Sequence, residues 1–177
     1  MTGPDRSVLD RNLAALALRN APLAAELRTR DWEGAGYRVV TASDGRRVVG
    51  HDDAARTPGG PGVERAVAEA LTRPGAMVLG GVGDGRVLGL LKPRPAGPHG
   101  AVHAVYVCEP DLDRLAAALS LADLTGPGGA LASDAVLWFA GPGWDAAYAG
   151  ALAENFGLAL PDLQARLGSG EAVDRAW

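Results

Sequence analysis

The residues most able to do chemistry form a glycine-rich run, 80–85, directly after the apolar segment 76–79. Gly81, Gly83 and Gly85 have the spacing of a tight strand-to-helix turn, in which residues without a Cβ let the backbone approach a ligand. The helix expected to follow would present unpaired N–H groups towards that ligand. The run therefore predicts a nucleotide-binding turn, although a tight turn without a ligand would also use glycines.

A carboxylate is predicted at the same edge of the sheet. Glu109 ends the next apolar run, 24 residues after Gly85, and the carboxyl ends of parallel strands lie at one edge. From there Glu109 could accept hydrogen bonds from both hydroxyls of a ribose. If Glu109 binds a ligand, its replacement should weaken binding and leave the fold nearly unchanged. The alternative interpretation is that Glu109 is a solvent-exposed acid in a loop. Asp111 is interpreted as the N-cap of the following helix.

Other polar residues give no catalytic assignment. His103 lies within an apolar run, where a hydrogen-bonded core histidine is common, and His51 and His99 lie in loops without a partner at useful spacing. No histidine general base is therefore evident. Cys108 is the single cysteine, and no Cys/His cluster offers zinc ligands. Neither a metal site nor a catalytic residue is predicted.

The elements that must position these residues begin with helices and a hairpin. Leucines recur at helical spacing from Ser7 onwards, and a second short helix follows Asn20. The β-rich runs 36–42 and 46–50 are joined by residues 43–45, whose glycine favours a β-hairpin. Residues 1–58 are expected to form this amino-terminal part.

Residues 59–177 are predicted to form a Rossmann-like half, packed as one unit with the first part. The linker 56–62 leads to a helix from Val63, and alternating apolar and helical segments then indicate an α/β fold with a small parallel sheet and flanking helices. The expected strands are 76–79, 102–108 and 135–140, and the expected helices are 86–91, 112–121 and 143–156. Residues 158–177 suggest one or two short helices and no fourth long strand.

Composition restricts the class of partner. The chain has 177 residues, 47% of them hydrophobic, and a net charge of −4, which suits a globular domain. With a pI near 5.3 it lacks the basic field that non-specific nucleic-acid binding needs, so no nucleic-acid partner is expected. The start of the chain has no signal-like region, and the sequence contains no apolar stretch long enough to span a bilayer. We therefore expect a cytoplasmic protein with no membrane partner.

Several landmarks then follow one another in a recognisable order. They are the leucine-rich opening 12–16, the hairpin 37–45, the proline-rich helix entry 61–64, the glycine turn 81–83, Glu109-Pro110-Asp111 and the strand with its glycine, 138–141. In this order, residues 12–162 resemble the amino-terminal region of the bacterial motility-accessory glycosyltransferase family and its relatives. That family tends to carry aromatic and histidine residues directly after the turn, where this chain has Asp84 and Gly85.

The resemblance implies an accessory, non-catalytic Rossmann-like domain for a nucleotide or nucleotide sugar. In the family this region is attached to a larger transferase portion, whose members are implicated in transferring nonulosonic or other sugars to flagellin or surface targets. The isolated chain would then have no turnover. One alternative is an S-adenosylmethionine-dependent methyltransferase-like domain, although Leu79 stands where those enzymes usually carry an acid. A second alternative is a degenerate Rossmann scaffold for protein–protein contact.

Overall fold

The computed structural model describes residues 6–53, 61–73, 75–92, 104–155, 157–158 and 160–167. Two helices and an antiparallel hairpin precede a parallel sheet with flanking helices, so the predicted α/β class is confirmed. In chain order the elements are α1 (Arg6–Ala17), α2 (Ala21–Arg28), β1 (Tyr37–Thr41), β2 (Arg47–His51), α3 (Pro61–Leu71), β3 (Ala76–Gly80), a 3₁₀ helix (Arg86–Leu90), β4 (Val105–Glu109), α4 (Leu112–Leu119), β5 (Val136–Ala140), α5 (Trp144–Glu154) and β6 (Pro161–Arg166).

The parallel sheet has the strand order β5-β4-β3-β6. All five residues of β3 are buried, as expected for a central strand covered on both faces. The chain passes from β3 to β4 and β5 on one side and then places β6 on the other side of β3. The order of strands therefore reverses between β3 and β6, which is where ligands bind in open α/β sheets.

The fourth strand corrects the prediction of short helices after residue 158. Residues 161–166 form β6, which pairs with β3 so that Leu163 lies opposite Met77 and Arg166 opposite Gly80. The sequence of β6, Pro-Asp-Leu-Gln-Ala-Arg, is too short and too polar for an apolar-run signal. Its conformation depends on the free edge of β3, since strand preference is set largely by neighbouring strands.

The other elements lie close to their predicted positions. The expected strand 102–108 begins at Val105, and residues 101–103 are outside the described part of the chain. Of the predicted linker 56–62, the described residues 61 and 62 already belong to α3. Asp111 caps α4 as predicted, because its side chain accepts hydrogen bonds from the N–H groups of Asp113 and Arg114. No helix within the described residues is long and apolar enough to cross a membrane.

A single hydrophobic cluster joins the amino-terminal segment to the sheet. It contains Leu13 and Leu16 of α1, Val49 of β2, Leu79 of β3 and Leu115 of α4, all at most 1% exposed. The hairpin is closed by the turn at Gly45, whose φ is 79°. These shared contacts place α1, α2 and the hairpin on the face of the sheet that α4 also covers.

Asn12 fastens α1 to the end of α4. Its side chain is fully buried, and the amide group donates to the carbonyl oxygens of Leu119 and Ala122 at 2.7 and 2.8 Å. Its Oδ1 accepts the N–H of Leu124 at 3.0 Å. Every hydrogen-bonding group of this amide is therefore used, and its removal would leave three backbone groups unpaired.

We expect Asn12→Ala to lower the free energy of unfolding by about 3 kcal/mol, because buried backbone groups would lose their only partners. Asn155→Ala is the matched control: that amide is exposed and also donates to a carbonyl oxygen, of Ala151. Its effect should stay within about 0.5 kcal/mol. Urea unfolding of the two variants tests this, and equal effects would contradict the role given to Asn12.

Candidate functional site

The predicted glycine turn is present at the carboxyl end of β3. Gly81, Gly83 and Gly85 have φ values of 89°, 57° and 85°, which side chains with a Cβ rarely adopt. The predicted helix after the turn is instead a five-residue 3₁₀ helix. Such a short helix has too few aligned peptides to offer the anion-binding end that the sequence suggested.

Glu109 lies against this turn, and its carboxylate is used by the protein itself. The side chain is 0% exposed. Oε2 accepts the N–H of Val82 at 2.8 Å, and Oε1 accepts the N–H of Asp111 at 2.9 Å. The sequence therefore located Glu109 correctly at the turn. Because the side chain is fully buried in this conformation, ribose hydroxyls do not reach either oxygen, and nucleotide binding by these residues stays a prediction.

Three further side chains surround Glu109. The guanidinium of Arg114 is 4.0 Å from its Oε1, and the Tyr37 hydroxyl donates to Asp111 Oδ2 at 2.5 Å. Burial raises the pKa of Glu109, against the opposing effect of Arg114 and the two backbone N–H groups. Burial also acts to raise the pKa of Asp111, but hydrogen bonds from Tyr37 and from the start of α4 keep that pKa below its usual value.

The outer side of the turn is covered by other parts of the chain. The N–H of Leu167, just after β6, donates to the Gly80 carbonyl at 2.7 Å. The Cβ of Leu167 would be 3.5 Å from a Cβ placed on Gly83. The N–H of Val49 in β2 donates to the Asp84 carbonyl at 2.9 Å. As a result residues 81–85 are all buried, and in this conformation the backbone at Gly81 and Gly83 is not exposed to a ligand.

A chain of ion pairs holds the hairpin over the turn. Arg86 pairs with Asp84 at 2.6 Å and with Asp44 at 3.1 Å. Asp44 also pairs with Arg46, and Arg46 reaches Glu64 of α3 at 2.5 Å. The sequence assigns residues 43–45 only to the turn and does not reveal the network, since the pairs that connect its parts, Arg86–Asp44 and Arg46–Glu64, join residues distant in sequence. The available signal was an aspartate two residues before an arginine, which occurs at the hairpin tip (Asp44, Arg46) and again in the glycine turn (Asp84, Arg86).

Gly85 is the predicted site residue that borders a groove. This groove, of about 300 Å³, lies between β2, the 3₁₀ helix and the end of α4. Gly85 has a φ of 85°, which favours glycine, and a Cβ there would come within 2.4 Å of Leu121 Cδ1 unless that side chain moved. We name it the arginine groove; its wall includes Arg46, Arg47, Arg86, Leu88, Leu121 and Leu124.

The remaining candidates do not form a reactive centre within the described part of the chain. The ring of His51 packs edge-on against Tyr37, with centroids 4.6 Å apart, while His99 and His103 lie outside the described residues. Burial raises the pKa of the Cys108 thiol to about 12, so it remains protonated at neutral pH. Among the described residues, no three His, Cys, Asp or Glu side chains cluster as metal ligands would.

Comparison with known proteins adds no relative. The chain matches no protein-family model, no curated protein and no solved structure. The chemistry of the site is therefore argued from its own contacts, of which the engagement of Glu109 with Val82 and Asp111 is the most informative.

We expect Glu109→Ala to lower the free energy of unfolding by about 3 kcal/mol, because two buried N–H groups and Arg114 would lose their partner. Glu109→Gln should lower it by about 1–3 kcal/mol, since its NH₂ group must face one of the two N–H donors. Glu69→Gln, in an exposed ion pair with Arg65, is the control and should change little. Chemical unfolding without ligand measures all three, and an unchanged stability of Glu109→Ala would restore the ligand-only interpretation.

The second prediction concerns pH. Burial and the hydrogen bond to Asp111 raise the pKa of Tyr37 to about 12. Because this exceeds the value of about 10 in the unfolded chain, protonated Tyr37 stabilises the fold fully below that value, and the contribution is lost as pH rises through about 12. Tyr37→Phe should therefore lose less stability over this alkaline range than the wild type. Both proteins keep Tyr106 and Tyr148, so parallel unfolding curves would refute the assignment to Tyr37.

Proposed function

We propose that this chain is an accessory Rossmann-like domain of a bacterial protein-glycosylation system, without turnover of its own. It acts in the cytoplasm by contact with a larger transferase domain or protein partner, and the glycine turn serves the fold. The observation that carries the proposal is the Glu109 carboxylate, whose two oxygens are buried and bonded to Val82 and Asp111. The ordered landmarks of the sequence support the glycosylation context.

The engagement of Glu109 matters because a ribose would need the same oxygens. Because the side chain is fully buried, it would have to turn outwards to reach two hydroxyls and so release the N–H groups of Val82 and Asp111. Buried backbone donors without a partner are unfavourable by about 1–3 kcal/mol each. Leu167 and β2 would also have to move from the outer side of the turn, where both are hydrogen-bonded to it. A structural role for the turn needs none of these changes.

The second candidate function is binding of a nucleotide, a nucleotide sugar or S-adenosylmethionine. One observation favours it: the three glycines adopt positive φ values after the end of β3, and Glu109 contacts this turn as the sequence predicted. A ligand could then replace Glu109 as the partner of the Val82 N–H. This candidate requires the turn to open, whereas the accessory role requires it to stay closed.

Thermal unfolding with nucleotides, nucleotide sugars and S-adenosylmethionine separates the two. A ligand at 100 times its Kd would stabilise the fold by about 2.7 kcal/mol, which is roughly 5–10 °C in Tm for a chain of this size. We expect no such increase, and no turnover above background when donor sugars and candidate acceptors are supplied.

Two alanine variants make the result specific. Gly83→Ala and Gly128→Ala both place a Cβ at a positive φ, 57° and 78° respectively, but only Gly83 is in the turn. A ligand-dependent rise in Tm that survives Gly128→Ala and disappears in Gly83→Ala would overturn the accessory role and establish the second candidate. Steady turnover that is lost in Glu109→Ala would overturn it as well.

A further inference from the structure

The arginine groove has an apolar side and a cationic side. Leu88, Leu121 and Leu124 form part of the apolar side, with Ala118 of α4 and Ala122 beside them. The cationic side is made by Arg46, Arg47 and Arg86. A volume of about 300 Å³ is at the lower end of ligand-binding pockets. The groove therefore suits a small molecule that has an apolar body and an anionic end.

Two of the three arginines are already neutralised. Arg46 forms ion pairs with Asp44 and Glu64, and Arg86 forms them with Asp44 and Asp84. These carboxylates lower the charge that a ligand would meet at Arg46 and Arg86. They also make this side of the groove unfavourable for a ligand that carries more than one negative charge.

Arg47 differs from its two neighbours. It begins β2 and shares the inward face of that strand with Val49, because side chains alternate along a strand. Its Nη2 atom is buried and has no hydrogen-bond partner, and no carboxylate in the described part of the chain forms an ion pair with it. The Arg47 guanidinium therefore carries a charge that no described carboxylate compensates, and Arg47 lines the groove, so an anion bound there would compensate that charge.

We propose that the arginine groove is a binding site for a small carboxylic acid with a short alkyl chain. The carboxylate pairs with the Arg47 guanidinium, and the alkyl chain lies against Leu88, Leu121 and Leu124. A carboxylate fits because its planar shape matches the guanidinium fork. Its single negative charge also matches Arg47, the one arginine of the groove without an ion pair, whereas a second charge would be repelled by Asp44, Glu64 and Asp84. This site is separate from the inner side of the glycine turn and is independent of the accessory role proposed above.

The test is a titration of the full chain with octanoate, followed by calorimetry and by amide NMR shifts. We expect saturable binding, with the largest shifts at Gly85 and Gly89, which both line the groove. Octanamide, which has the same chain without the charge, should bind at least about tenfold more weakly. The same loss should appear for octanoate when Arg47→Gln removes the cation.

Arg65→Gln is the matched control, because Arg65 is an exposed arginine on α3 with an exposed partner, Glu69. It should keep wild-type affinity. The Arg47 side chain makes no hydrogen bond or ion pair within the described residues, so Arg47→Gln should unfold at the wild-type temperature, and its loss of binding can be attributed to the site. Absence of saturable octanoate binding, equal affinity of Arg47→Gln and wild type, or shifts centred away from Gly85 and Gly89 would each overturn the proposal.

Discussion

The structure around the sheet edge depends on one buried carboxylate. Glu109 ends β4 and hydrogen-bonds both to Val82, in the turn after β3, and to Asp111, which caps α4. A single side chain thereby joins two strands and a helix at one point. Because charge is unfavourable in a buried site unless it is compensated, the two N–H groups and Arg114 are needed for Glu109 to lie there. Each partner in turn is held in place by the carboxylate.

The glycine turn is closed by the hairpin and by the residue after β6, which both pack around Glu109 and its partners. The hairpin contributes a backbone hydrogen bond to Asp84, and the residue after β6 contributes one to Gly80. Ion pairs through Arg86 and Asp44 connect the tip of the hairpin to the same turn. The Leu167 bond closes the end of β3 beside β6, where an open sheet of this topology would receive a ligand. The amino-terminal segment therefore contacts the turn at the carboxyl edge of the sheet as well as contributing to the hydrophobic core.

A nucleotide-binding turn and a structural turn share the same local chemistry. Both need glycines at positive φ, and both place an acid at the end of the neighbouring strand. The difference lies in what the acid binds and in what covers the glycines. Here Glu109 binds the backbone, and Leu167 lies against Gly83. The groove beside Gly85 instead faces Arg47 and leucines, which favours a different kind of ligand from a nucleotide.

The sequence by itself determined the α/β class, the hairpin, strands β3, β4 and β5, the cap at Asp111 and the meeting of Glu109 with the glycine turn. These features depend on local patterns: apolar runs, turn glycines and capping residues. Only the tertiary structure decided that residues 161–166 form a strand, because the free edge of β3 supplies their hydrogen bonds. It also decided that Leu167 closes the turn and that the Arg47 side chain has no partner among the described residues. Such outcomes depend on contacts between residues distant in sequence, which no local pattern encodes.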